Sequence, residues 1–530
     1  MKTAIATILF SACFSQIFAQ NQVPQLKNLT ASIDAGTKKY TLHFDVSDAE
    51  NDSLRLVLGL SSDGGQQFDL SNLPMTGDVG FPIFSKNGAK IEVDLSSLPD
   101  PLPTNLTARL SAIDGQPIDF QSLVNEVDSI RLRDGLDFIE GKRHRTSSAA
   151  HLQEVRDSLK NFLGGQCFAV RDQPFTAFNN YTAHNIAGRH AGFLAPKKTV
   201  IVDAHYDTVS NSPGADDNGS GVVGTVEIAR ILGRFPMENT LQFSFFDLEE
   251  SGLLGSAAYN ANSNGVEPGE EILGAFNYEM IGFYSDVANS QTVPTGFNLI
   301  FPGPYSQLQA NNFKGNFITN ISNDISAGIE TAFTAAATSY VPDLKVVTVH
   351  IPGNWQNAIY ADLLRSDHVS FWQKNRPSIQ LTDGANFRNM CYHTACDSAE
   401  MKLNFTFMAN VVKATLAASA KMAGIKHGSW KAIDCPFPTP VGVKNAPESC
   451  TWLVYPNPAS REIFLKTSDC PAKNISVEIL DNTGKTVRKA LFAAPFNNLE
   501  HISLVDLPAG NYFAKMNDGQ NIHTEKIVIH

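Results

Sequence analysis

An α/β domain built on a mostly parallel mixed sheet with helices on both faces, flanked by N- and C-terminal β-sandwich domains, is the fold the sequence predicts. Three observations carry that expectation. The chain has 530 residues, room for about three domains at roughly 100–200 residues each. Its middle alternates short apolar runs with helical spacing, the order that builds a parallel sheet. Both flanks show short strand-like runs separated by turn residues, the pattern of small sandwiches.

At the amino end, Lys2 precedes an apolar stretch from Ala4 to Phe14 and a small residue at Ala19, before the polar Gln20-Asn21-Gln22. This reads as a signal peptide over residues 1–20, too short to span a membrane. Cys13 does not read as a lipid-attachment site, because Phe10-Ser11-Ala12 matches a lipoprotein signal poorly. The chain is therefore expected to be exported, with no transmembrane span. Six further cysteines follow, Cys167, Cys391, Cys396, Cys435, Cys450 and Cys470, an even number that suits disulfides. None forms a Cys-x-x-Cys pair, which argues against a thiolate zinc site. Cys391 and Cys396 bracket His393 closely enough to staple its loop.

Residues 21–118 are expected to form the first sandwich, on alternating runs such as Tyr40-Thr41-Leu42-His43-Phe44-Asp45-Val46. No metal or nucleophile constellation appears there. Residues 119–425 carry the α/β pattern: Lys198 to Ala204 reads as a buried strand, Gly219 to Leu232 as a helix, and Thr240 to Phe246 as another buried strand. Residues 426–450, with Pro436-Phe437-Pro438-Thr439-Pro440, read as a linker, and residues 451–530 as a second β-rich module. The formal charge of -12, with no long run of Lys or Arg, gives no footprint for nucleic acid or an anionic membrane. Peptides or small molecules are the expected partners.

The chemistry-bearing residues fall where strands of the α/β domain end, which is where open sheets bind ligands. His205-Tyr206-Asp207 follows the first buried strand; a carboxylate beside a histidine can fix the tautomer a metal needs, although alone the pair reads equally as a polar strand end. Gly214-Ala215-Asp216-Asp217-Asn218-Gly219-Ser220-Gly221 is an acidic, glycine-rich turn leading into a helix. Two adjacent carboxylates would repel phosphate, and neither the P-loop ending nor the twelve-residue calcium spacing is present. In Asp247-Leu248-Glu249-Glu250, neighbouring side chains diverge, so that one can bind metal while the other faces an attacking water. In isolation Glu-Glu also suits a solvated helix start. Asn277-Tyr278-Glu279 and Cys391-Tyr392-His393-Thr394 complete the set. About five N/O ligands plus a base satisfy a hydrolytic two-metal site, and the imidazole and carboxylate mixture favours zinc.

These motifs, in this order over roughly residues 127 to 425, resemble the di-zinc aminopeptidase family that includes bacterial leucyl aminopeptidase, aminopeptidase S and aminopeptidase Y. The resemblance implies two Zn2+ ions, with Asp217 bridging, Glu250 and His393 completing one site, and His205 and Glu279 the other. It further implies Glu249 as general base, Asp207 as the support of His205, a cis bond between Asp217 and Asn218, and peptide or protein substrates cut at their amino ends. Asp367 and His368, in Arg365-Ser366-Asp367-His368-Val369-Ser370-Phe371-Trp372, resemble a stretch near the family's substrate pocket and are expected to back the ligands. The best-known members carry Asp where this chain has Glu279. Two rivals stand beside this reading: a single-zinc glutaminyl cyclase, and a non-catalytic surface binding protein on the same fold.

Tyr455-Pro456-Asn457-Pro458-Ala459 and Leu507-Pro508-Ala509-Gly510-Asn511-Tyr512-Phe513, with the Lys526-Ile527-Val528-Ile529 ending, resemble the C-terminal sorting domain of the type IX secretion system. That implies contact with the secretion machinery and passage through the periplasm of a Bacteroidetes-type Gram-negative cell to the surface or medium.

Overall fold

Alternation near the amino end becomes seven strands: β1 (Gln25–Asp34), β2 (Lys39–Ser47), β3 (Leu54–Ser61), β4 (Met75–Gly77), β5 (Gly80–Ile83), β6 (Lys86–Asp94) and β7 (Thr107–Ile113). In β2, Tyr40, Leu42, Phe44 and Val46 are buried while Lys39, His43 and Ser47 face water, as a pleat with one dry face requires. They join Leu54, Leu56, Ile91, Val93 and Leu110 in one core between two antiparallel sheets, ordered β1-β2-β6-β4 and β7-β3-β5. The computed structural model describes residues 21–433 and 451–529, apart from 69, 71, 263–264, 399–402, 456–458, 460–461, 469–473, 482–484, 494–499, 506 and 518–521. The signal-peptide stretch and most of the expected linker lie outside the described residues.

Three helices follow, α1 (Phe120–Asn125), α2 (Ser129–Ile139) and α3 (Ala149–Gly165). Asp119 and Asp128 cap the first two by accepting amide hydrogens of the opening turn, which satisfies donors a helix start leaves free. The main sheet contains β8 (Ala169–Ala177), β9 (Tyr181–His190), β10 (Ala195–His205), β11 (Asn239–Phe246), β12 (Glu271–Tyr278), β13 (Ile318–Asn323), β14 (Val346–Ile351) and β15 (Ser378–Thr382). Their order is β14-β13-β15-β12-β10-β11-β9-β8, and β15, β12, β10 and β11 are mutually parallel. Antiparallel pairings of β9 with β11 and of β13 with β15 make the sheet mixed.

Helices cover both faces. Val200 and Val202 point into a cluster with α4 (Gly221–Leu232) and the long helix Phe405–Ala423, whereas Ile201 packs on the other side with Phe246, Tyr259 and Phe371. Burial on both faces is why β10 is apolar at successive positions instead of alternate ones.

Gly428–Ala432 lies within the segment read as linker, but it is a strand, β16, paired antiparallel with β7. Its Gly and Lys hid it from a composition-based reading; the edge of β7 supplies the pairing that local propensity does not. Trp430 donates through its indole to Gly233 O at 2.8 Å and packs 4.7 Å from the His190 ring, tying this strand to the α/β layers. Trp430→Ala is expected to cost about 3–5 kcal/mol, read as a lower denaturant midpoint of the full chain. An unchanged midpoint would show the strand to be dispensable.

The chain divides into two units, Met1–Pro438 and Thr439–His530. The second has two antiparallel sheets. One is formed by Thr451–Tyr455, Glu462–Ser468 and Glu500–Ser503; the other is ordered Thr486–Ala493, Asn474–Leu480, Gly510–Asn517, Ile522–Ile529. Ile463, Val477, Ile479, Tyr512, Ala514, Met516 and Ile527 form its core. Among the described residues, no helix is long and apolar enough to cross a membrane.

Candidate metal centre

His205 ends β10, Glu249 and Glu250 follow β11, and Glu279 follows β12, so three adjacent parallel strands deliver them to one carboxyl edge. Asp217 comes from the turn between β10 and α4, and His393 from a loop closed by the Cys391–Cys396 disulfide. The resulting cluster is a pair of triads. His205 Nε2 lies 3.3 Å from Asp217 Oδ1 and 3.4 Å from Glu279 Oε2. His393 Nε2 lies 3.1 Å from Asp217 Oδ2 and 2.9 Å from Glu250 Oε2. Asp217 thus presents a different oxygen to each histidine.

The triads fit metal ions. Donors about 2.0–2.2 Å from a tetrahedral zinc lie roughly 3.3–3.6 Å apart, within a few tenths of an ångström of these separations. His205 Nε2, both oxygens of Asp217 and Oε1 of Glu250 are buried with no hydrogen-bond partner among the described residues, a costly arrangement unless a cation receives them. The groupings His205, Asp217, Glu279 and Asp217, Glu250, His393 each place one donor atom per residue within 4.8 Å of the others.

The electrostatics carry the same message. Burial, followed by the Glu279, Glu250 and Asp367 carboxylates, pushes Glu249 well above the usual carboxylate range, with His205 opposing. Burial and then the charge of Asp217 hold Glu250 up at about 8. Burial disfavours charge on His205, yet Glu249 and Glu279 outweigh it and raise the imidazole well above its ordinary value. On His393, hydrogen bonds to Asp217 and Glu250 likewise overcome burial and lift it to about 10. The acids are crowded beyond what two imidazoles neutralise, so the pocket favours bound positive charge.

Glu249 stands apart from both triads. Its Oε2 is 3.9 Å from His205 Nε2, and its backbone amide donates to Asp207 Oδ1 at 3.0 Å. Asp207 has two tasks: its carbonyl oxygen lies 3.2 Å from His205 Nδ1, and its carboxylate receives the amides of Glu249 and Glu250. Asp367 is fully buried within electrostatic reach of His205 and Glu279, and burial first, then Glu279, lifts it to about 7 against the pull of His205. His368 is not brought to the cluster. It donates through Nε2 to Leu363 O at 3.1 Å and meets Trp372 edge-on, which makes it a group of the aromatic core. Its neighbour faces the acids because consecutive residues at the start of the short helix His368–Trp372 diverge.

The glycine-rich turn is shaped by close approach. Gly214 has φ 66°, and a Cβ there would strike Thr208 Cγ2 and Asp217 O; at Gly221 it would strike Asn218 Oδ1. The Asp217–Asn218 bond is cis. Asp216 turns to Gly282 N and Asn389 Nδ2, away from the histidines.

Three supports escaped the sequence reading. Asp397 accepts the amides of Asp216 and Asp217, at 2.8 and 3.1 Å, and Ser366 Oγ lies 2.8 Å from Glu279 Oε2. The cysteine pair beside Asp397 was the only local signal for it. Arg143, between the charged Lys142 and Arg145, is completely buried. Its guanidinium donates to the carbonyls of Tyr206, Ile139, Gly141, Pro213 and Gly214, bracing both ligand-bearing stretches. Arg143→Met strands those acceptors and is expected to cost about 3 kcal/mol or more, measured by denaturant unfolding. Wild-type stability in that variant would contradict the bracing role.

Comparison with known proteins accords with this geometry. Residues 185–419 match the model of peptidase family M28, and residues 453–530 match that of the secretion system C-terminal sorting domain. The uncharacterized Escherichia coli protein YfbL is 32% identical over 229 residues, 40% of this chain and 64% of that protein. Aminopeptidase YwaD of Bacillus subtilis is 38% identical over 120 residues, 22% of this chain and 26% of that protein. The solved structure of BSAP, a zinc aminopeptidase from Bacillus subtilis, aligns at 24% identity with a TM-score of 0.35, over 47% of this chain and 52% of that one. The chain thus spans less than two thirds of these relatives' lengths. The chain carries a peptidase M28 domain at residues 185–419 and a secretion system C-terminal sorting domain at residues 453–530.

Proposed function

We propose that the protein is an exported zinc aminopeptidase that removes N-terminal residues from peptides. One observation carries the proposal: Asp217 offers a separate oxygen to each of two triads, one buried and one open to solvent at His393, the arrangement of a carboxylate bridging two cations. His205, Asp217 and Glu279 would hold one zinc, and Asp217, Glu250 and His393 the other. Lewis acidity is what such ions supply when bound, polarising the scissile carbonyl and making a water easier to deprotonate.

Glu249 then acts as general base and acid. It is buried, close to the triads and not committed to either, so it can accept the proton of the attacking water and return it to the leaving amine. Asp207 fixes both the imidazole it faces and the backbone that carries Glu249. The Ser366 hydroxyl donates to Glu279 Oε2, the same oxygen that lies 3.4 Å from His205 Nε2, and so steadies the longer side chain within reach of His205. The surplus of carboxylates receives a cationic amino terminus, the physical basis for exopeptidase action. Residues 119–425 would carry the reaction, with residues 21–118 as an accessory sandwich. The C-terminal module would engage the secretion machinery and deliver the protein to the surface or medium.

Both histidines and both triads are retained, which favours this reading over a one-zinc cyclase; an uncommitted Glu249 favours it over a pure binder. The test is hydrolysis of matched peptides with free and acetylated amino termini, with and without a chelator. Chelator-sensitive release from free termini alone is expected. Cleavage of blocked peptides, cyclisation of N-terminal glutamine without hydrolysis, or no reaction would refute it.

A further inference from the structure

The ligands of the two triads are not held alike. His205, Glu250 and Glu279 ride on the ends of adjacent parallel strands, and Asp217 sits in a turn braced by Arg143 and Asp397. His393 comes from a surface loop, and its side chain is 37% exposed where every other ligand is 8% or less.

That loop is anchored at its two ends. Asn389 Nδ2 donates to Asp216 Oδ2 at 2.9 Å. Asp397 accepts the amides of Asp216 and Asp217 through its carboxylate and that of Ala215 through its carbonyl. Between these anchors, among the described residues, the hydrogen bonds of residues 391–396 all return to residues 389–398, apart from the contacts of the His393 imidazole. Tyr392 stacks on His393 at 3.8 Å, but it belongs to the same loop. From outside, Arg365 approaches the Tyr392 ring at 5.9 Å, the outer limit of a cation–π contact.

What closes this span is the Cys391–Cys396 disulfide, with His393 between its two cysteines. His393 has φ 59°, a left-handed conformation that a residue other than glycine keeps where its surroundings impose it. Asp217 and Glu250 give the imidazole its direction; a cross-link on both sides of it removes most of the conformations through which it could swing away. Cys396 is exposed, so a reductant can reach the bond.

Resting on the two-zinc reading above, we propose that Cys391–Cys396 is a redox clasp on the metal position formed by Asp217, Glu250 and His393. Closed, it holds His393 in place. Opened, it frees the imidazole and weakens that position, while the position formed by His205, Asp217 and Glu279 is left as it was. The opening step is exchange with a dithiol: one of its sulfurs attacks the bond to form a mixed disulfide, and the second displaces the protein's sulfur. The dithiol leaves as a disulfide, and Cys391 and Cys396 gain its two electrons and two protons. Cell interiors supply such dithiols and oxidising exterior spaces do not, so the second metal position is completed after export.

The experiment measures zinc affinity by competition with a chromogenic chelator, on the full chain as purified and after reduction by a phosphine, which adds no thiolate that could itself take zinc. Alkylation confirms that Cys391 and Cys396 are free in the reduced sample. Two tight equivalents are expected before reduction; afterwards one stays tight and the other weakens about 10–100-fold, as for loss of a ligand's support. The C391S/C396S variant, which has no thiol to replace the imidazole, is expected to show the weakened position without reductant and no further response to it. Two tight equivalents unmoved by reduction and by C391S/C396S would overturn the clasp and keep the two-zinc reading. Equal weakening of both positions, or a variant as tight as the oxidised protein, would also overturn the clasp. Fewer than two equivalents in the oxidised protein would remove the two-zinc reading and the clasp with it. Should the variant not fold, reduction followed by reoxidation of the native chain decides: recovery of the second tight equivalent supports the clasp, and its failure to weaken at all overturns it.

Discussion

Glu249→Gln is expected to lower kcat by about 10²–10⁴-fold while zinc content and unfolding midpoint stay at wild-type values. The expectation follows from what Glu249 touches. Neither triad includes it, and its main-chain amide, anchored on Asp207, does not depend on the side-chain charge. The amide of glutamine fills the same space and cannot take a proton from water. KM should change little, because the variant removes a proton transfer and leaves the surfaces that bind the peptide. Loss of zinc from this variant would make Glu249 a ligand and Glu250 the better candidate for the base. Retention of most activity would show that the proton goes elsewhere.

Asp217→Asn is expected to have the widest effect of any single ligand change, emptying both metal positions at once. His205→Ala and His393→Ala should each weaken one. The asymmetry follows from geometry: each imidazole faces one oxygen of Asp217, whereas Asp217 serves both. Even partners one shell out from a metal typically contribute about 10–100-fold in affinity, so loss of a shared ligand should exceed that at both positions. Bound zinc, measured after dialysis, should fall from two equivalents to fewer than one in the Asp217 variant. Equal losses in all three variants would argue for one site shared by every ligand.

Much of the central layer was legible in the chain. The apolar run at 198–204 is β10 and that at 240–246 is β11, because strands dry on both faces cannot alternate with polar residues. The helix expected from Gly219 begins at Gly221. The gathering of His205, Asp217, Glu250, Glu279 and His393 was legible for a related reason: three of the five, His205, Glu250 and Glu279, sit at the carboxyl ends of adjacent parallel strands, where a parallel sheet converges. What escaped depends on distant partners. Arg143 earns its burial from carbonyls as far away as Gly214, and Asp397 from the amides of a turn 180 residues earlier. His368 looked like a companion of the acids because sequence adjacency does not say which way a side chain points. Gly428–Ala432 has no strand signal of its own and is a strand only because β7 lies beside it.

The most direct test of the account is a zinc titration of the chelated full chain, reading bound metal and release of a free N-terminal residue together. The account predicts two equivalents bound and hydrolysis that rises with them, absent for the acetylated peptide. Saturation at one equivalent, or two equivalents bound with no hydrolysis of any free-terminus peptide, would contradict it.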